Sequence, residues 1–407
     1  MAIAPLSNLF LKLDDSEALS KVGAAMVKIG ESSAKALIPI LRDAIHGHLK
    51  LNYFSTRELI RALGTMRSRD AVPVLIDCLS KGYMATAVID ALGDIGDDRA
   101  IDPLISHLDS ADGHAHDVAQ SFRKIGKAAV QKGIAALRDA AGRRFWMLGR
   151  ALCSAGYSPT RAEDAADFYL ATQQWGRLVE IGEPSVTTKM TVLVQNTGFE
   201  DWELDREIRI NIVETLGQIG GPKAIESLSA VLSDYAQPEG IRCASAAALG
   251  RIGKAAIRGL VTFLEAPSDP RSVEIEPSTK GLFSGLCVVG SSYAVEASVL
   301  RALGLIGEQA PVEAICTSME RAKLFAQGSE DDSSFVFIGY HWTVLAAFDA
   351  LGSIFGKGLG TEGHRSRVVN ALAYWISYQA ENRSKYRDYS GEDSVRLSAK
   401  ALYDSLR

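Results

Sequence analysis

Aromatic residues are scarce in this 407-residue chain, at 7%, and there are only five cysteines. Cys78, Cys153, Cys243, Cys287 and Cys316 lie far apart, with no Cys-x-x-Cys pair among them. An odd, dispersed set argues against a disulfide scaffold and a zinc ribbon, and it suits a reducing compartment. An excess of one charge is missing too: 44 Lys and Arg face 49 Asp and Glu, for a net charge of −5. That balance, with no continuous basic stripe, speaks against a nucleic-acid-coating protein. The start, Met1-Ala-Ile-Ala-Pro, lacks the basic residues and apolar block of a secretory signal. The most apolar stretch, 335–359, is broken by His341, Asp349 and several glycines, so it reads as buried helix and not as a membrane span. The expectation is a cytoplasmic protein with no membrane partner. No G-x-x-x-x-G-K-[ST] phosphate loop and no G-x-S-x-G nucleophile turn occurs.

What is abundant is repeated. Hydrophobic residues make up 47% of the chain. One phrase recurs: Ala91-Leu-Gly-Asp-Ile-Gly96, Thr215-Leu-Gly-Gln-Ile-Gly220, Ala248-Leu-Gly-Arg-Ile-Gly253 and Ala302-Leu-Gly-Leu-Ile-Gly307. Degenerate copies end at Gly30, Arg67, Gly126, Gly156, Gly182 and Phe355, which makes about ten units. Each unit reads as two antiparallel helices. Ile241, Ala244, Ala248, Leu249 and Ile252 share one helical face, and the final Gly supplies a left-handed stop. No single hairpin buries both of its apolar faces, so the units must stack. The spacing predicts an all-α protein, a single α-solenoid over 1–407. Its repeats are regular over 1–260 and irregular, with insertions at 265–280 and 327–334, over 261–407.

These residues resemble HEAT repeats of the short, glycine-marked kind named after phycobilisome lyases. Within the repeat families the sequence looks like the longer E/F-type phycobilin lyases of cyanobacteria, those made of one polypeptide that handle phycoerythrobilin. The resemblance implies that the second helix of each unit lines a concave groove. Residues opening those helices are then groove residues: Tyr53, Tyr83, His114, Arg143, Arg144, Phe168, Tyr169, Arg206, Glu239, Tyr293, and finally Tyr340-His341-Trp342. Such a stripe of rings and guanidinium groups suits a long conjugated pigment carrying carboxylates. In that reading Arg206, Arg209 and Arg242 bind propionates, Trp342 and Tyr293 stack, and Asp205 and Glu296 hydrogen-bond pyrrole nitrogens. Tyr340 or His341, with Asp331 or Asp332, moves protons.

The activity implied is a phycobilin lyase that joins phycoerythrobilin, its substrate, to a cysteine of a phycobiliprotein subunit such as phycoerythrin, with or without isomerisation to phycourobilin. The thiol belongs to the partner, so no catalytic cysteine of this protein is required, although Cys287 lies beside the longer insertion. No metal and no tightly bound cofactor is expected. His46-x-His48 and His114-x-His116 have no supporting ligand cluster, and no His is followed by Glu, which excludes the di-iron chemistry of HEAT-type deoxyhypusine hydroxylases. The rival class is a non-catalytic scaffold that holds a protein or peptide in the same groove.

Overall fold

The computed structural model describes residues 3–13, 15–109, 114–182, 187–195, 202–266, 291–309, 311–328, 334–377 and 391–406. Side chains are described for these residues except 11, 162–163, 187, 202–203, 291–293, 323–328, 334–342, 377 and 391–393. Among the described residues the structure is all-α, with no strand. Two compact units are formed, Met1–Leu178 and Val179–Arg407.

Each unit has two layers. In the first unit the leading helices Ile3–Lys12, Glu31–Ile45, Val72–Ser80, Ile101–His107 and Lys127–Asp139 stack side by side, and Ala162–Ala171 extends the row. Their hairpin partners Ser16–Ile29, Tyr53–Thr65, Ala85–Ile95, Ala115–Ile125 and Gly142–Ser154 form the other layer. The second unit repeats the arrangement. Thr187–Gln195, Gly221–Ser233, Ile257–Glu265, Val312–Gly328 and Glu362–Ser377 make one layer; Trp202–Ile219, Glu239–Ile252, Ser291–Ile306, Ser334–Gly356 and Gly391–Leu406 make the other. This is the α-solenoid hairpin that the repeat predicts, with five such hairpins in each unit among the described residues. The apolar 335–359 stretch falls largely in Ser334–Gly356, where Val344, Phe348, Leu351 and Ile354 are buried. No described helix is long and apolar enough to cross a membrane.

The two glycines of the repeated phrase do different work. The first lies in the contact between successive second helices, directly against the opening residue of the next phrase. A Cβ added at Gly217 would lie 2.7 Å from Ala248 Cβ, one at Gly250 2.9 Å from Ala302 Cβ, and one at Gly304 2.7 Å from Ala350 Cα. The layer therefore packs backbone against methyl, and its spacing leaves no room for a side chain. The closing glycine stops the helix: Gly253 has φ +88° and its N–H donates to the carbonyl of Leu249.

Arg67 occupies the same stop position in a degenerate copy and takes φ +52°. A side chain there is strained, and the strain outweighs the additional backbone freedom that glycine would lose on folding. Arg67→Gly is expected to stabilise the first unit by about 0.5–1 kcal/mol, read as a raised midpoint of urea unfolding.

Adjacent repeats are also tied by charge at their turns. Asp97 accepts from Arg99 Nε and Nη2, both at 2.9 Å, and from the Arg99 backbone N–H at 3.0 Å. The same guanidinium donates to the carbonyl of Arg69 in the preceding repeat at 3.0 Å. The Arg99 side chain pulls the Asp97 carboxyl from its ordinary 3.8 down to about 2. Because the folded value is the lower one, this stabilisation is present above about pH 3.8 and is lost as the pH falls through about 2. Asp97→Asn should therefore unfold at lower urea than the parent at pH 6, with the gap closing as the pH approaches 2.

Candidate functional site

The second-helix layer of the second unit packs one face on the first helices, and its less buried positions lie on the other. On Glu239–Ile252, residues Ile241, Arg242, Ser245, Ala248 and Leu249 are buried, while Gly240, Cys243, Ala244, Ala247 and Arg251 are not. On Trp202–Ile219 the less buried positions include Arg206, Glu207, Ile210, Glu214 and Gln218, and on Ser291–Ile306 they include Ala294, Ser298, Arg301 and Leu305. Small side chains thus form a shallow floor on the central helices. Arg206, Arg251 and Arg301 are exposed at its margins. The Arg206 guanidinium reaches over Gly240, its Nη2 3.3 Å from where a Cβ would stand.

The packing glycines also fix the register. Gly250 abuts Ala302 and Gly304 abuts Ala350. Seven to ten residues nearer the helix starts, Arg242 and Cys243 are therefore level with Ala294 and Val295, and those are level with Tyr340 and His341. The Tyr340-His341-Trp342 cluster thus lies in Ser334–Gly356 at the height of the small-residue floor. The side chains of Tyr293, Tyr340, His341 and Trp342 lie outside the described set, as do residues Asp331, Asp332 and Cys287 entirely, together with most of both insertions.

The other residues expected at the site serve the frame. Arg209 is 7% exposed: Nε donates to the Val194 carbonyl at 2.7 Å, Nη1 to Asp205 Oδ2 at 3.2 Å, and Nη2 to Gln237. Arg242, 3% exposed, donates from Nε to the Leu232 carbonyl at 2.9 Å and lies over Tyr235 and Phe263, 4.4 and 5.6 Å from the ring centroids. Glu296 accepts from Arg321 at 3.0 Å and from Ser318, facing the first-helix layer, and Arg321 also donates to the Ala266 carbonyl at 3.2 Å. Val194, Leu232 and Ala266 lie at or just beyond the ends of first helices, where backbone carbonyls have no partner within their own helix and the helix dipole is negative. A buried guanidinium satisfies both needs. Sequence reasoning missed this service. The available signal was the spacing: Arg209 and Arg242 each follow a first-helix end by a short interval.

In the first unit the stripe is mixed. Tyr53 and Phe54 are exposed and meet edge to face at 5.6 Å, whereas Phe168 is buried against Tyr157. His114 pairs with Asp117 at 3.1 Å and stacks on His107, and Arg144 pairs with Asp109. His46 and His48 stack at 6.3 Å. Among the described residues no group of three or more His, Cys, Asp or Glu converges as a metal site would require.

Three of the thiols are poor nucleophiles. Burial pushes Cys78 and Cys316 up to about 12, with Asp77 and Glu320 respectively adding to the effect. Burial also raises Cys243 despite a hydrogen bond with Ser298. At neutral pH these three are thiols, not thiolates.

The repeats have known relatives. Residues 56–123 and 202–275 match the family of HEAT repeats. The two segments contain three of the four clearest Ala-Leu-Gly-type phrases; the fourth, ending at Gly307, falls outside them. Among solved structures the protein is similar to one polypeptide of the complex of CpcE and CpcF of phycocyanin lyase from Nostoc sp. PCC7120. That likeness is 21% identical, covers 64% of this chain and 92% of that one, and has a TM-score of 0.27. No curated protein matches the sequence.

Proposed function

We propose that the protein is a bilin lyase that attaches phycoerythrobilin to a cysteine of a phycoerythrin subunit. The observation that carries this reading is a patch of small side chains on the second-helix layer of the second unit, Gly240, Cys243, Ala244, Ala247, Ala294 and Ser298, with Arg206, Arg251 and Arg301 exposed around it and Tyr340-His341-Trp342 level with it. A flat pigment needs such a floor to lie on. Its propionates need cations that the fold does not consume, and Arg206 is the exposed member of the three arginines expected to bind them. Arg209 and Arg242 then act by positioning the two helices that carry the floor.

In this reading the repeats run as one solenoid through 1–407, in the cytoplasm, and the acceptor subunit docks over the bound pigment. Its cysteine adds across the double bond at ring A: a carbon–sulfur bond forms, the thiol proton ends on carbon, and nothing leaves. The high thiol values of Cys78, Cys243 and Cys316 agree with a nucleophile supplied by the partner. Isomerisation to phycourobilin adds a proton at one carbon and removes one at another, work assigned to Tyr340 or His341 with Asp331 or Asp332. Trp342 and Tyr293 stack on the pigment, while Asp205 and Glu296, which hold Arg209 and Arg321 against the first-helix layer, keep the floor helices in place. Holding pigment and thiol together supplies much of the acceleration.

Co-production with phycoerythrobilin and a phycoerythrin subunit tests the proposal. The protein should purify coloured and pass that colour to the subunit in a form that survives denaturation. A scaffold would stay colourless and leave the subunit unmodified.

A further inference from the structure

Two letters vary in the repeated phrase: the residue before its opening Ala or Thr, and the residue after its first glycine. That glycine abuts the opening residue of the next phrase, so the variable letters of successive phrases become neighbours. Contact of Gly250 with Ala302 brings Arg251 beside Arg301, and contact of Gly304 with Ala350 brings Leu305 beside Asp349. Arg301 and Leu305 are also one turn apart on the same face of Ser291–Ile306. All four are exposed, and Leu305, at 72%, is the most exposed large hydrophobic residue among those described. Neither arginine is ion-paired among the described residues, and nor is Asp349. In the first unit the same letters are settled internally. Asp90 and Asp94, around the phrase that ends at Gly96, both pair with Lys124 of the next second helix, at 3.7 and 2.8 Å. In the second unit two like charges stand side by side next to a bare leucine, with no complement among the described residues.

We infer that Arg251, Arg301, Leu305 and Asp349 form the docking surface for the acceptor subunit, which meets the two arginines with carboxylates, Leu305 with an apolar recess and Asp349 with a basic residue. An apolar anchor within a charged rim is the composition of a protein interface. A nucleic acid would call for cations alone, and here a leucine and a carboxylate share the surface. The surface is continuous with the small-residue floor, because Arg251 lies one turn beyond Ala247 and Arg301 one turn beyond Ser298. A subunit seated there reaches a pigment on the floor. Arg206 reaches over Gly240, about 16 Å before Arg251 along Glu239–Ile252. That separation leaves the pigment's carboxylates to Arg206 and the subunit's to Arg251 and Arg301. The inference rests on the lyase reading and names the face that its protein partner uses.

Calorimetric titration of the full-length protein with a pigment-free phycoerythrin subunit measures docking apart from attachment, and colour transfer is assayed in parallel. The parent should bind, more weakly as salt rises. Arg251→Glu and Arg301→Glu should each weaken binding about tenfold or more, because a like charge then meets the subunit's carboxylates. Leu305→Ser should weaken it about tenfold through lost apolar burial, and circular dichroism should stay unchanged in all three. Arg150→Glu makes the same charge change at the matching place of the first unit, directly after Gly149, which abuts Ala171, and should leave binding as it is. Two results would overturn the docking surface while colour transfer by the parent keeps the lyase reading: binding that all three second-unit substitutions leave intact, or an equal loss with Arg150→Glu. Colour transfer without measurable binding would overturn it as well. A parent that neither binds the subunit nor colours it sinks both readings.

Discussion

Gly304→Ala is expected to destabilise the second unit by about 1–3 kcal/mol, although alanine is the better helix former. The added methyl would stand 2.7 Å from Ala350 Cα and 3.1 Å from its Cβ. A flexible side chain can swing away from such a contact, but a neighbouring helix backbone cannot. The two helices must separate, and every contact along Ser291–Ile306 and Ser334–Gly356 loosens with them. The matching control lies one phrase further on. Gly352 holds the equivalent place in Ala350-Leu-Gly352, yet the nearest atom to its added Cβ is Leu402 Cδ1, at an ordinary 3.8 Å. Gly352→Ala should therefore stabilise the same unit by about 0.5–1 kcal/mol, through helix propensity alone. Urea unfolding of the two variants should move in opposite directions. If both stabilise, close glycine packing does not set the helix spacing.

Arg242→Ala should cost about 3 kcal/mol. It strands the buried Leu232 carbonyl, removes the cation from between Tyr235 and Phe263, and leaves a cavity. Arg242→Lys should recover little, because a compact ammonium neither spreads between two rings nor sheds its water readily. Arg206→Ala presents the opposite pattern. Its side chain is exposed, so stability should change by less than about 0.5 kcal/mol, while retention of the pigment should fall. Thermal midpoints and the visible absorbance of the purified proteins separate the two roles. A ligand function for Arg242 independent of the frame would show as lost colour in a variant of unchanged stability.

The repeat phrase foretells the fold well because each of its letters answers a local need. Gly253 and Gly96 stop helices, while Gly217, Gly250 and Gly304 admit the next helix; both demands leave a mark in one short window. The site is less readable. An arginine that opens a second helix looks the same in the sequence whether it reaches a ligand or a neighbouring helix end. Arg206 and Arg209 are only one turn apart, yet one is exposed and the other is clamped to Val194 and Asp205. That choice depends on which face of Trp202–Ile219 meets the other layer, and the apolar pattern around Ile208, Ile212 and Val213 sets it. The floor itself leaves little trace, because Gly240, Ala244 and Ala247 resemble the alanines and glycines used for packing throughout the protein.

The location of the new thioether tests the central proposal most directly. The protein is incubated with phycoerythrobilin and a phycoerythrin subunit, both partners are digested, and the peptides are mapped by mass spectrometry. The proposal predicts pigment on a cysteine peptide of the subunit, dependent on this protein, and none on Cys78, Cys153, Cys243, Cys287 or Cys316. Pigment joined to one of those five, or a subunit that remains unmodified while the lyase candidate is folded and present, would contradict it.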